Sequence, residues 1–249
     1  MLRGLWRLAW LEVKIFLREP LGAVGVVVFP VIGYIVVGRM SRGRLATVPP
    51  ESADQVRVIM PVFFAILIAL SAVVSLVTII AVYREGGILK RLRATPLRPW
   101  TILSAHVLVK LFFTAVTLVA MMAAGRRYFP MAAPLPIGSL TVALLIMTLS
   151  VLAIGFVIAS LVPTARFAQP IATVVFYPMV ALSGLFFPID VLPPALRAIA
   201  RVLPLTYAVS LLRGVVMHDS WSAHMTDIAA LLLFFVAFLA VSARVFRWE

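Results

Sequence analysis

Tyr83-Arg84-Glu85-Gly86-Gly87-Ile88-Leu89-Lys90-Arg91-Leu92-Arg93-Ala94-Thr95-Pro96 is a compact charged stretch set between two long apolar runs, Val58–Val82 and Thr101–Gly125. A spanning helix needs about 20 consecutive, mostly apolar residues, and both runs meet that length. The stretch between them is therefore a loop that returns to water, and its patterned charge makes it a handle for a soluble partner. Outward from this pair, four more runs reach or approach spanning length: Leu21–Gly38 with Pro30 inside it, Ile137–Val162, Gln169–Phe187 with Pro170 and Pro178, and Thr226–Val245. The composition agrees. The chain is 63% hydrophobic and 12% charged, where a soluble domain is about 45–50% apolar and about 25% charged. The reading is an all-α integral membrane protein with six transmembrane helices, forming one domain over residues 1–249.

Two segments do not fit the spanning pattern. In Met1–Glu19, Leu5, Leu8, Leu11, Ile15 and Phe16 share one helical face. Arg7, Lys14 and Arg18 lie mostly on the other, and Trp6 and Trp10 suit the headgroup layer. Residues 1–19 thus read as an amphipathic helix lying in the membrane interface. No A-x-A-like cleavage site follows the first apolar run, so a retained anchor is expected rather than a signal peptide. Between Pro188 and Met217, Pro193-Pro194 open a short stripe of Leu196, Ile199, Ala200 and Leu203, and Pro204 stops it for want of a backbone donor. Leu205–Met217 is apolar but too short to cross. Residues 188–217 are expected as short re-entrant helices before the last span, bordering a pathway, because broken segments at membrane depth need protein or water to satisfy their backbone.

The formal charge is +13. Its basic residues flank apolar runs, which suits anchoring to anionic headgroups rather than nucleic-acid binding. Lys and Arg are modestly enriched on the side carrying both termini, and the dense Arg84–Arg98 loop decides the orientation: termini and loop are expected in the cytoplasm, in a multi-pass protein of the cell membrane.

Several chemistries are missing. There is no cysteine, hence no disulfide frame and no thiolate site. There is no GxxxxGK[ST] to cradle a nucleotide's phosphates and no G-x-S-x-G elbow. His106, His218 and His224 are not grouped as a zinc triad, and no HExxH occurs. No catalytic residue and no metal site is expected. The acidic residues Glu12, Glu19, Glu51, Asp54, Glu85, Asp190, Asp219, Asp227 and Glu249 all fall outside the depth of the spans. An ion-coupled secondary carrier, which needs buried carboxylates, is an alternative weakened on that ground. Lys110 is the charge that looks intramembrane, with His106 one turn earlier on the same face. A lysine at mid-depth costs about 2.5–3.5 kcal/mol. It either snorkels to the headgroups or joins His106 in a polar intramembrane site. A membrane-embedded lipid-modifying enzyme built on His106, Lys110 and Asp190 is the other alternative. Those groups are scattered through the topology and form no recognised constellation.

The loop Arg84-Glu85-Gly86-Gly87-Ile88-Leu89-Lys90-Arg91-Leu92-Arg93-Ala94-Thr95-Pro96-Leu97 resembles that of the permease subunit of type-2 ATP-binding-cassette (ABC) exporters. So do Leu182-Ser183-Gly184-Leu185-Phe186-Phe187-Pro188-Ile189-Asp190, Leu192-Pro193 and Leu203-Pro204-Leu205-Thr206-Tyr207. The resemblance covers nearly the whole chain. It implies that two permease copies, as a homodimer or a heterodimer, form the pathway, while two copies of a separate cytoplasmic ATPase hold ATP and Mg. No cofactor is then expected on this chain. It also implies that residues 83–97 form a coupling helix docking on the ATPase, with contacts from Arg84, Glu85, Gly86, Leu89, Arg91 and Leu92. Physically, Ile88, Leu89 and Leu92 give such a helix an apolar stripe, and Gly86-Gly87 allow its start to turn sharply. Phe176, Tyr177, Phe186, Phe187, Pro188 and Tyr207 are the candidates for pathway or gate. The cargo implied is hydrophobic or amphipathic, such as a drug, a lipid or a lipid-linked glycan, moved outward.

Overall fold

The computed structural model describes residues 2–18, 24–45, 50–87, 99–128, 136–162 and 164–245. Helices, with no strand among the described residues, make up the fold. Helix α1 is Leu2–Arg18; a π-helical segment Val24–Val28 leads into α2, Phe29–Leu45. Then come α3 (Pro50–Glu85), α4 (Pro99–Tyr128), α5 (Ile137–Leu161) and α6 (Ala165–Leu182). A 3₁₀ turn at Ile189–Val191, α7 (Pro194–Arg201), α8 (Pro204–Val216), a second 3₁₀ turn at Trp221–His224 and α9 (Met225–Val245) complete it. Among the described residues, five stretches are long and apolar enough to cross a bilayer: Val58–Glu85, Ser104–Ala124, Ile137–Leu161, Ala165–Leu182 and Trp221–Val245. The chain is a multi-pass membrane protein.

The expected first span, Leu21–Gly38, differs in form. Its apolar α-helical part, Phe29–Met40, is shorter than a span, and the π-helical residues precede it. Pro30 explains the join: it has no N–H to donate, so the α ladder cannot run back regularly through it, and a wider turn takes up the register. The expected fifth span is shifted. It begins at Ala165 rather than Gln169 and ends at Leu182 rather than Phe187. Ser183 is its C-cap and Gly184 follows at φ +83°, a left-handed stop that glycine takes without a Cβ clash. Phe186 and Phe187 therefore lie beyond the helix. The stretch expected to be re-entrant forms α7 and α8, bent by 80° across Val202–Leu203, a geometry shared by a re-entrant loop and a broken span.

Helix α5 is the centre of the bundle, packed against α3, α4, α8 and α9. Leu140, Leu144, Met147, Val151 and Ile158 are buried along one face, and every residue from Ser150 to Phe156 is buried, so the middle of the helix is enclosed on all sides. Facing it, α3 buries Ile66, Ala69, Val73, Leu76, Val77 and Ile80. Several hydroxyls in the spanning helices bond within their own helix. The hydroxyls of Ser71, Thr78, Thr117 and Ser160 donate to the carbonyls one turn back, Leu67, Val74, Phe113 and Phe156, where no water could serve them. Ser150 instead donates to the Leu231 carbonyl at 2.9 Å and ties α5 to α9. The last carbonyls of α7 also accept side chains of α8: Thr206 Oγ1 donates to Ala200, whose carbonyl accepts the Leu203 N–H as well, and the Tyr207 hydroxyl donates to Arg201.

Gly155 lets α3 and α5 approach. A Cβ there would sit 2.8 Å from Val73 Cγ1, and a branched side chain locked by packing cannot retreat. Gly155→Ala is expected to lower stability by about 1–3 kcal/mol through overpacking, read as an earlier midpoint of thermal unfolding in detergent. Gly138→Ala, which would meet nothing within 4 Å, is the control.

Candidate functional site: the last turn of α3

Tyr83, Arg84 and Glu85 close α3 at the mouth of the basic loop. Successive residues on a helix point about 100° apart, so three in a row can face three neighbours, and here they do. The Tyr83 hydroxyl donates to Glu12 Oε1 of α1 at 3.1 Å. Arg84 Nη1 donates to the Ser160 carbonyl of α5 at 3.1 Å. Glu85 Oε2 accepts the backbone N–H of Ala165, the first residue of α6, at 2.9 Å.

The last two contacts follow the electrostatics of helix ends. The final carbonyls of a helix are unpaired and carry partial negative charge, and its first amides are unpaired and carry partial positive charge. Ser160 lies at the end of α5 and Ala165 at the start of α6, on either side of one tight connection. Arg84 meets the negative pole and Glu85 the positive one. Thr164 is the N-cap residue of α6 and makes no side-chain cap bond, so the carboxylate of another helix takes that place. Arg84 Nη2 is buried without an acceptor among the described residues. Gly86 N–H returns to the Val82 carbonyl and Gly87 N–H to the Arg84 carbonyl, with Gly87 at φ +66°. The expected sharp turn is present, and α3 ends in it. Leu89, Arg91 and Leu92 lie outside the described residues, as does the rest of the coupling stretch after Gly87.

Beside this turn, α1 and α4 are joined through the same carboxylate. Glu12 Oε2 lies 3.4 Å from His106 Nδ1, and the His106 ring meets Tyr83 edge-on at 5.4 Å. Lys110 is buried, and its Nζ donates to Ser75 Oγ of α3 at 2.6 Å. His106 and Lys110 are thus a polar seam between α4, α3 and α1. Asp190 is exposed in the 3₁₀ turn after α6, where its carbonyl accepts from Arg197. On α1 the exposed residues include Trp6, Arg7, Trp10, Leu11 and Lys14, with Lys14 Nζ 5.7 Å above the Trp10 ring. That pattern suits the headgroup layer.

The aromatic candidates divide. Phe176 is buried in the core, whereas Tyr177, Phe186 and Phe187 are exposed. The Phe186 ring lies 5.9 Å from Phe63. Pro188 is exposed, and Tyr207 is half-buried with its ring 6.1 Å from Phe234.

A second polar cluster, absent from the sequence reading, joins α8 to α9. Asp227 Oδ2 accepts from Ser210 Oγ at 2.8 Å and lies 2.8 Å from His224 Nδ1. His224 Nε2 lies 3.3 Å from Asp219. The two carboxylates take opposite edges of the ring and cannot converge on one ion; among the described residues no group of three metal-ligating side chains forms. The ring lies over Gly214, where a Cβ would overlap it. The signal was available: Asp227 stands in the first turn of an apolar span with His224 three residues earlier. Its partner Ser210, however, comes from another helix.

Comparison with known proteins agrees with this geometry. The chain belongs to the ABC-2 type transporter family, whose model matches residues 3–217. It is similar to Nodulation protein J of Rhizobium leguminosarum bv. viciae, 28% identical over 134 residues, which is 54% of this chain and 49% of that protein. It is also similar to Nodulation protein J of R. leguminosarum bv. trifolii, 30% identical over 94 residues, 38% of this chain and 36% of that protein. The matched region thus spans half or less of the length of these relatives. The family makes the chain the membrane component of a transporter.

Removing Asp227 strands two donors. Asp227→Ala is expected to cost about 1–3 kcal/mol, and Asp227→Asn, which keeps an acceptor, distinctly less. Unfolding midpoints of the purified chain in detergent check both.

Proposed function

We propose that this chain is the permease subunit of an ABC exporter, driven by a separate cytoplasmic ATPase that docks on the loop leaving α3, with the apolar stripe of Ile88, Leu89 and Leu92 as the docking contact. The observation that carries the reading is the last turn of α3. The loop leaves a helix end that three other elements hold, so a force applied to the loop enters the bundle at one defined place. A motor can drive a bundle only by binding one of its conformations better than another, and a loop anchored in this way lets that difference be felt by α1, α5 and α6. ATP and Mg belong to the ATPase in this reading, and the ABC-2 family match supports it.

Two permease copies enclose the pathway. Support comes from α6, which is the least apolar of the five spanning stretches and leaves Arg166, Phe167, Gln169, Val174 and Tyr177 exposed. A face of mixed polarity and aromatic character is poorly matched to lipid tails, and better to a second copy or to an amphipathic cargo. Tyr177, Phe186 and Phe187 border that face toward the α7–α8 pair. The cargo is hydrophobic or amphipathic, such as a drug, a lipid or a lipid-linked glycan, and it moves outward. The loop and both termini face the cytoplasm, in the cell membrane.

Purification of the tagged permease from its host membranes tests the reading. The unsubstituted chain should retain an ABC ATPase. Leu89→Ala with Leu92→Ala, removing the apolar stripe, should lower the retained ATPase by about tenfold or more, as loss of central apolar anchors does. Undiminished retention in that variant would contradict docking at the loop.

A further inference from the structure

We propose that Arg84 and Glu85 are not docking contacts but the transmission link of the permease: a dipeptide that fastens the end of α3 to both sides of the α5–α6 connection, so that displacement of the loop is delivered to α6. The inference rests on the permease reading above and assigns positioning roles within it.

The argument begins with direction. Arg84 and Glu85 sit at the base of the loop; the Arg84 guanidinium turns into the bundle, and Glu85, although exposed, lays one carboxylate oxygen on the start of the next helix. Arg84 reaches the Ser160 carbonyl and Glu85 the Ala165 amide. A residue whose charge is committed to a helix end is poorly placed to bind a soluble partner as well. The pairing is also ordered by sign, cation on the C-terminal end of α5 and anion on the N-terminal end of α6, which the helix dipoles favour and the reverse arrangement would oppose.

What the link moves is equally specific. Helix α5 is the buried centre of the bundle and resists displacement. Helix α6 is more loosely held, with buried side chains at Ala168, Ala172, Phe176 and Met179 only. Its first turn has no cap of its own, because Thr164 makes none. Its far end stops at Ser183-Gly184, followed by the exposed Phe186 and Phe187. A pull on Glu85 therefore falls on the first turn of the least enclosed of the helices around α5 that this hub touches. From there it runs along α6 to the aromatic residues near the re-entrant pair.

Natural absence of cysteine makes the test clean. A single Gln169→Cys, on the exposed side of α6 one turn beyond Ala165, carries a bimane fluorophore in the permease–ATPase complex purified from host membranes. The probe added is Mg-ATP with vanadate. In the otherwise unsubstituted complex the nucleotide should change the bimane signal. Glu85→Ala should retain its ATPase but shrink that change by about fivefold or more, as loss of coupling between sites requires. Glu85→Gln, which keeps an acceptor oxygen, should restore most of it. The exchanged pair Arg84→Glu with Glu85→Arg preserves net charge beside the loop, yet sets each charge against the like pole. It should also keep the ATPase and lose the response.

Three results would overturn the link. Glu85→Ala could release the ATPase as the Leu89/Leu92 variant does, which would make Glu85 a docking contact. The exchanged pair could respond normally, which would make the order of charges irrelevant. Glu85→Ala could keep the full nucleotide response. A substituted chain that fails to fold is recognised by loss of the monodisperse complex, and Glu85→Gln then decides, since its full failure to respond would contradict a role that needs only an acceptor. A wild-type chain that retains no ATPase would refute the permease reading and the link together, whereas the three results above refute the link alone.

Discussion

A backbone amide at the start of a helix must find an acceptor, and at the start of α6 that acceptor is the carboxylate of Glu85, 80 residues away in sequence. This need to satisfy helix ends organises the hub at the end of α3. At this hub and at the α7–α8 bend, helix ends recruit side chains from neighbouring elements, and the recruitment joins the elements. Arg84 serves α5 and Glu85 serves α6. At the α7–α8 bend Thr206 and Tyr207 serve the last carbonyls of α7. The same constraint within the bilayer turns hydroxyls back onto their own helices. It also makes the exceptions informative: Ser150 to Leu231, Lys110 to Ser75, and Asp227 to Ser210 and His224 each cross between helices.

Much of this was legible in the sequence because membrane helices announce themselves by composition. The runs from Val58, Thr101, Ile137 and Thr226 became helices close to where apolarity placed them, and Gly86-Gly87 became the turn that their freedom allows. The errors share one cause. Apolarity marks what tolerates lipid and does not mark where a helix stops. Leu185, Phe186 and Phe187 are as apolar as the residues before them, so the fifth span was read through Gly184, although a glycine in left-handed backbone ends it. Pro30 similarly lay hidden inside an apolar run whose helix begins irregularly.

The hub itself was only half visible. The sequence marks Arg84 and Glu85 as charges beside a loop, and the family resemblance gives that loop a partner. Which way the two charges turn depends on helices five and six, which nothing local to residue 85 records. Lys110 shows the same limit: its depth in the span was readable, but its partner Ser75 comes from α3. Asp227 stands at the very start of the last apolar run rather than deep in it, and its burial arises only when α8 lays Ser210 against it. Pairings between helices are set by packing, and packing is a property of surfaces that one sequence does not order.

The picture that results is of a bundle centred on α5, with a more loosely held α6 beside it and a basic loop whose root is fastened to both. Membership of the ABC-2 family makes this a transporter component; the hub suggests how work from outside would enter it. The most direct measurement is the structure of the full complex in lipid nanodiscs, with and without bound nucleotide. The account predicts the ATPase seated against the loop after Gly87, with the Glu85 carboxylate on the Ala165 amide in both states while α6 shifts against α5. A Glu85 side chain turned out onto the ATPase, or an α6 that moves free of it, would contradict the account.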